Sequence, residues 1–159
     1  ETLADPEGTE SGRSQTVRGL GLLPTQTVFT DAKHLTQDTA TVTAPQLAGA
    51  ALTGYQIHTG RTAVQGVPFC RLADGSAEGC VQDNVAGTYL HGLFDTGELT
   101  EKLVQLLCSR KGISPASAPL LSMQEYRQQQ FDLLADGVRR ALDMNALYAA
   151  MGLEGRNTV

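Results

Sequence analysis

Gly87-Thr88-Tyr89-Leu90-His91-Gly92-Leu93-Phe94-Asp95 is the stretch of this 159-residue chain with the plainest potential for chemistry. An apolar run ends in a histidine, a glycine follows at once, and a helical pattern starts just after. An imidazole can take a proton from a thiol or hydroxyl near neutral pH and return it to a leaving group. Gly92 leaves space for a substrate beside His91. The competing reading is a histidine buried at a strand end and hydrogen-bonded to backbone.

A second candidate lies in Gly54-Tyr55-Gln56-Ile57-His58-Thr59-Gly60-Arg61-Thr62. Strand alternation sets Gln56 and His58 on one face and Tyr55 and Ile57 on the other. The polar pair either lines a pocket or faces solvent on a half-exposed sheet. His34 follows Lys33 in what reads as a solvated polar loop. A metal site needs three or four ligands close together. His58 and His91 are far apart in sequence with no cysteine near either, so no metal is expected. There is no phosphate-binding GxxxxGK[ST] loop, and no GxSxG or GxCxG elbow presents a nucleophile. Gly19-Leu20-Gly21 matches a dinucleotide fingerprint only superficially, since Pro24 and no helix follows.

The three cysteines, Cys70, Cys80 and Cys108, form no CxxC pair. They suggest neither a disulfide framework nor zinc, and read as reduced packing or surface residues of a cytoplasmic protein. A reactive thiolate wants a positive, partly exposed turn or helix N-terminus, which none of them has by sequence.

The elements that must position these groups change character along the chain. Residues 1–18 are polar and read as a loop, and 19–24 as a glycine-punctuated apolar turn. Thr25 to Thr30 and Leu35 to Thr43 read as two strands, rich in β-branched residues, the second broken by Pro45. Further strands are predicted over 50–59, 64–72 and 84–91, with a turn at Asp74-Gly75. Helices then take over. Leu99, Leu103, Leu106 and Leu107 predict a helix over 96–110, capped by Asp95 or Thr96 and ended by Gly112 and Pro115. Ser122 and Glu125 form a capping box for a long amphipathic helix over 122–142. A short helix over 144–151 and a frayed tail at 153–159 complete the chain. Strands followed by helices suggest an α/β or α+β domain.

The bulk numbers fit that class. Apolar residues make up 41% and charged residues 18%, a globular composition with size enough for one domain. A net charge of −5 and the lack of a basic run argue against a nucleic-acid partner. No stretch is apolar for long enough to cross a membrane, and none reads as a signal peptide.

The segments 19–24, 54–62 and 87–95, in this order and spacing, resemble the C-terminal part of the cobyric acid synthase family, glutamine-dependent amidotransferases of cobalamin synthesis. The likeness runs over nearly the whole chain. The related a,c-diamide synthases are not expected to carry Gly-Leu-Phe after the histidine. The resemblance implies an α/β fold, a class I glutamine amidotransferase-like layered sheet with flanking helices, incomplete on its N-terminal side. It makes residues 1–159 the C-terminal part of one glutaminase domain. His91 matches the catalytic histidine, and Tyr55 and His58 match the second motif as substrate-binding or site-lining residues. Gln56 stands where a glutamate is usual, and Leu93 where many class I relatives carry a glutamate that orients the histidine. The cysteine nucleophile is expected just before the residue matching Glu1.

The implied chemistry is thiolate attack on the glutamine side-chain amide, with proton transfer by His91 and hydrolysis of the thioester. Ammonia would serve a synthetase domain that activates corrinoid carboxylates with ATP and magnesium. This chain alone is expected to bind neither, to lack glutaminase activity, and to expose an apolar sheet face or edge that dimerisation covers. Two alternatives stay open: an amidotransferase with another acceptor, such as a cell-wall lipid precursor, and a non-catalytic binding module of the same fold.

Overall fold

The computed structural model describes residues 1–114 and 122–153. The chain divides into two compact units, Glu1–Leu120 and Leu121–Val159. In the first, a seven-stranded sheet has β2 (Gln15–Arg18), β1 (Thr2–Asp5), β3 (Thr25–Val42), β4 (Ala51–Val64) and β9 (Leu90–His91) side by side. Strand β5 (Cys70–Leu72) adds to β3, and β6 (Ala77–Glu78) to β5. A separate two-stranded ribbon joins β7 (Cys80–Gln82) to β8 (Val85–Gly87). Only β1 and β3 run parallel; every other pairing between these strands is antiparallel. The architecture is a mixed α/β arrangement, with helix α1 (Glu98–Lys111) following the sheet.

The long β3–β4 hairpin organises the unit. Near its turn, Ala40, Val42 and Leu52 are buried while Thr41, Ala51 and Thr53 are exposed, the period-2 pattern of a sheet covered on one side. With Ala44, Ala50, Phe69, Cys70, Leu90 and Leu99 they form the core. Leu99 carries α1 into that core. The helix is also strapped to the hairpin, since Glu98 accepts from Ala51 N at 2.8 Å and Lys102 donates to Ala48 O at 2.9 Å.

Several sequence expectations are corrected. Residues 1–18 are not a loop: β1 and β2 pair from Thr2↔Arg18 to Asp5↔Gln15. The Asp5 carboxylate holds their connection, accepting from Thr9 N (2.8 Å), Glu10 N (3.1 Å), Ser11 N (2.8 Å) and Ser11 Oγ (2.8 Å). Residues 25–30 and 35–43 are one strand, because β4 runs alongside both and the ladder resumes after a register shift between Phe29 and His34. Strand β4 extends to Val64, and the strand read over 64–72 shrinks to Cys70–Leu72. The strand read over 84–91 is two short ones, separated where Glu78 accepts from the Thr88 hydroxyl and from Tyr89 N (2.7 Å). Gly97, with no side-chain cap, precedes α1 instead of Asp95 or Thr96; the Thr96 hydroxyl turns to Ala51 O at 3.4 Å.

The Asp74-Gly75 turn, the stop at Gly112 and the capping box match the sequence reading. Asp74 accepts from Ser76 N and Oγ across the predicted Asp74-Gly75 turn, and Gly112 ends α1 in the left-handed region. Pro115 lies outside the described residues, as does the tail beyond Leu153. In the second unit, α2 (Met123–Ala141) begins with the predicted capping box: Glu125 N donates to Ser122 Oγ at 3.1 Å, and Ser122 N donates to Glu125 Oε2 at 2.9 Å. Asp143 caps α3 (Met144–Ala150) by accepting from Ala146 N.

Candidate functional site

His91 closes β9, where the chain passes from core to surface within one residue: Leu90 is buried and His91 exposed. It is therefore not the buried strand-end histidine that the sequence left open. Its direct ladder partner is Tyr55, and the two rings stack at 4.9 Å between centroids and 13° between planes. A centroid separation well above ring-contact distance with nearly parallel planes is a displaced stack, the favoured arrangement for aromatic pairs. Among the described residues no hydrogen bond reaches the His91 ring nitrogens. Gly92 then turns the chain at φ 82, a conformation open to glycine, and Asp95 N closes the turn on Gly92 O at 3.0 Å. Leu93 packs against the buried cluster, so the position of the usual orienting glutamate points into the core.

His58 lies on the other face of β4. Alternation assigns Gln56 and His58 opposite to Tyr55, so the structure does not bring His58 and His91 together. His34 is not in a loop; it sits on β3 as the ladder partner of His58, ring centroids 5.0 Å apart. It is exposed, as expected.

The His58 ring is fixed on every side. Tyr89 stacks on it at 3.9 Å and 17°, and the Tyr89 hydroxyl bonds Thr62 Oγ1 at 2.8 Å. His58 Nδ1 lies 2.7 Å from Gly60 O and Nε2 lies 3.3 Å from Gln56 Oε1. Gln56 turns its amide nitrogen to Asp38 Oδ2 at 3.0 Å, the only choice that suits a carboxylate acceptor. Both nitrogens of His58 then face oxygen atoms. Thr36 Oγ1 supplies a second bond to Asp38 at 2.6 Å. Gln56 is buried in this chain of contacts, so the amide at the position usually acidic acts as a relay between an imidazole and a carboxylate.

Two cavities, of about 480 and 420 Å³, share Gln56, His58, Gly60, Arg61, Ala77 and Glu78 in their linings. Two of the unit's cavities thus open on the His58 face. Glu78, buried beside it, accepts from Thr88, Tyr89 N and, at 3.6 Å, from the Cys70 thiol. Burial, then the Glu78 charge and hydrogen bond and the Asp38 charge, push the Cys70 thiol up to about 12. Burial also pushes Cys80 up. Both are neutral packing residues, as the sequence suggested. Among the described residues no cluster of three ligands could hold a metal ion.

Sequence reasoning missed Asp38, Glu78 and Tyr89. Asp38 shares a period-2 face with His34 and Thr36, a signal visible once 25–42 is read as one strand. Glu78 had no signal, since its partners come from a different turn.

Residues 1–99 match the model of the CobB/CobQ-like glutamine amidotransferase domain. The cobyric acid synthase of Citrobacter koseri is 43% identical over 155 residues, covering 89% of this chain and 30% of that protein. That of Desulfitobacterium hafniense strain Y51 is 37% identical over 95% of the chain and 31% of its own length. That of Ruminiclostridium cellulolyticum is 34% identical over 99% of the chain and 33% of its own length. The chain therefore spans about a third of the length of the curated relatives it matches.

Proposed function

Since the chain belongs to the CobB/CobQ-like glutamine amidotransferase family, we propose that it carries the histidine of a glutaminase that feeds ammonia to a corrinoid amide ligase. The observation that carries this is the setting of His91: exposed at a strand end, stacked on one face, with no hydrogen bond to its nitrogens among the described residues, and followed by a left-handed glycine. That is the geometry of a ring kept in place yet able to exchange protons. His58, in contrast, has both nitrogens engaged and serves to shape the pocket face.

In this reading a cysteine thiolate outside residues 1–159 attacks the carboxamide carbon of glutamine. His91 delivers the proton to the departing ammonia and then takes one from the water that hydrolyses the thioester. Tyr55 borders the reacting centre. The acceptor is a corrinoid carboxylate, activated with ATP and magnesium in the synthetase part of the longer enzyme, working in the cytoplasm. The chain's own Cys70 and Cys80 are too buried and too firmly protonated to substitute as nucleophile. The exposed apolar strip of Leu35, Tyr55 and Ile57 around the His91 side of the sheet is where the remainder of a layered, class I-like domain would pack. In the isolated chain the same strip would favour self-association.

The test is ammonia release from glutamine by the chain alone and by the longer polypeptide spanning the length of its relatives. The chain alone is expected to be inactive and the longer form active, with His91→Ala abolishing release. Undiminished release by the His91→Ala form of the longer enzyme would overturn the assignment.

A further inference from the structure

We propose that Tyr55 is the positioning residue of the His91 imidazole, its ring doing by stacking what a hydrogen-bonded carboxylate does in other histidine-dependent sites. This deepens the glutaminase reading and rests on it.

A catalytic imidazole must be held in one orientation, because a displacement of about 1 Å can cost on the order of 100-fold in rate. The position two residues after His91 cannot do this, since Leu93 is packed into the core. Tyr55 is placed to do so by the backbone itself. It is the direct register partner of His91, and the next pair, Gln56↔Leu90, is anchored by two buried side chains. The strands are held unusually close, since residue 54 has no Cβ to strike the His91 carbonyl. The resulting stack, 4.9 Å and 13°, restrains rotation of the imidazole about its own bond yet leaves its edge, where both nitrogens lie, uncovered.

The fold uses the same device twice, which separates holding from locking. His58 also lies on a tyrosine, Tyr89, but there two further contacts occupy its nitrogens. At His91 the stack is the one such contact among the described residues. A carboxylate partner would orient the ring by occupying one nitrogen; a tyrosine face orients it and leaves both available. The face, not the hydroxyl, is the operative part, so phenylalanine should serve and an aliphatic residue should not.

The experiment compares Tyr55→Phe and Tyr55→Leu in the longer, glutaminase-competent polypeptide, with His91→Ala as reference. Tyr55→Leu is expected to lower kcat roughly 10- to 100-fold with KM changed by less than about twofold, the mark of lost orientation rather than lost binding. Tyr55→Phe is expected to stay within about threefold of the parent kcat. In this chain, NMR of the His91 ring protons should show an upfield ring-current displacement that Tyr55→Phe keeps and Tyr55→Leu removes, with the other resonances unmoved. Tyr55 is exposed, so neither change threatens the core; should Tyr55→Leu lose resonance dispersion, Tyr55→Ile replaces it. Parent-like kcat in the aliphatic variant, or equal loss in both variants, would overturn the inference. His91→Ala distinguishes the two readings: if it is inactive while Tyr55→Leu is not, only the role of Tyr55 fails.

Discussion

A β-carbon on residue 54 would stand 2.3 Å from the carbonyl oxygen of His91, closer than any real contact. Gly54 is what allows β9 to lie against β4 with Tyr55 and His91 face to face. Gly54→Ala must therefore push β9 outward or strain β4. It is expected to destabilise the unit by about 1–3 kcal/mol, as overpacking does, and to dissolve the stack. Urea unfolding and the His91 ring-proton shifts check this; unchanged stability together with unchanged shifts would contradict the close approach.

Gln56 joins His58 to Asp38 without bringing a second negative charge into a buried position. Gln56→Glu replaces the amide donor with a carboxylate beside Asp38. Two like charges side by side oppose one another, and a loss of about 1–3 kcal/mol at neutral pH is expected from the broken hydrogen bond. Adding Asp38→Asn should recover much of it, because the glutamate can then pair directly with His58. A double-mutant cycle on urea midpoints measures the coupling; strictly additive effects would show that the relay has no energetic content.

Cys70 offers a pH test. Its folded thiol is raised from 9.0 to about 12 by burial and by the charges of Glu78 and Asp38. Between those values the unfolded chain sheds the thiol proton while the folded chain keeps it, so folding weakens as pH rises. The contribution is fully present below about 9 and is gone above about 12. Thermal melts should fall more steeply from pH 9 upward in the parent than in Cys70→Ala. Parallel curves for the two proteins would refute a sealed, protonated thiol.

Asp5 behaves in the opposite sense. Partial desolvation pushes its carboxyl up, but the bonds from Ser11, Glu10 and Thr9 outweigh it and hold the group below the usual carboxylate range. A lowered folded value stabilises above the unfolded one, 3.8, and the gain disappears as pH falls through the folded value. Asp5→Asn should lose stability at neutral pH and flatten the acid limb of the melting curve. Amide exchange at residues 9–11, slow in the parent, should speed up; exchange unchanged in the variant would argue against the carboxylate as the anchor of this connection.

What the sequence made legible was local. The alternation of Tyr55, Gln56, Ile57 and His58 gave the two faces of β4, and Ser122 with Glu125 marked the start of α2. What it hid was set by partners distant in the chain. Strands β1 and β2 are four residues each and largely polar, with β2 at the sheet edge, so nothing in their composition separates them from a loop. Asp31-Ala32-Lys33 looks like a turn, and only the continuous strand β4 across from it shows that β3 carries on. The predicted caps of α1 failed because Thr96 spends its hydroxyl on Ala51 O, leaving Gly97 at the helix start. Asp38 and Glu78 acquire their roles from Gln56, Thr88 and Tyr89, contacts no periodicity can encode.

The interruption in the β3 ladder between Phe29 and His34 has an evolutionary corollary. Elsewhere along that ribbon, gaining or losing a single amino acid would swap inside for outside all the way to the hairpin bend. At positions 30 to 33 the ladder already has slack, so such length changes can be absorbed while Thr36, Asp38 and Ala40 keep their orientation. Descendants of this gene should therefore concentrate their insertions and deletions there, and keep the spacing from His34 to Val42 constant.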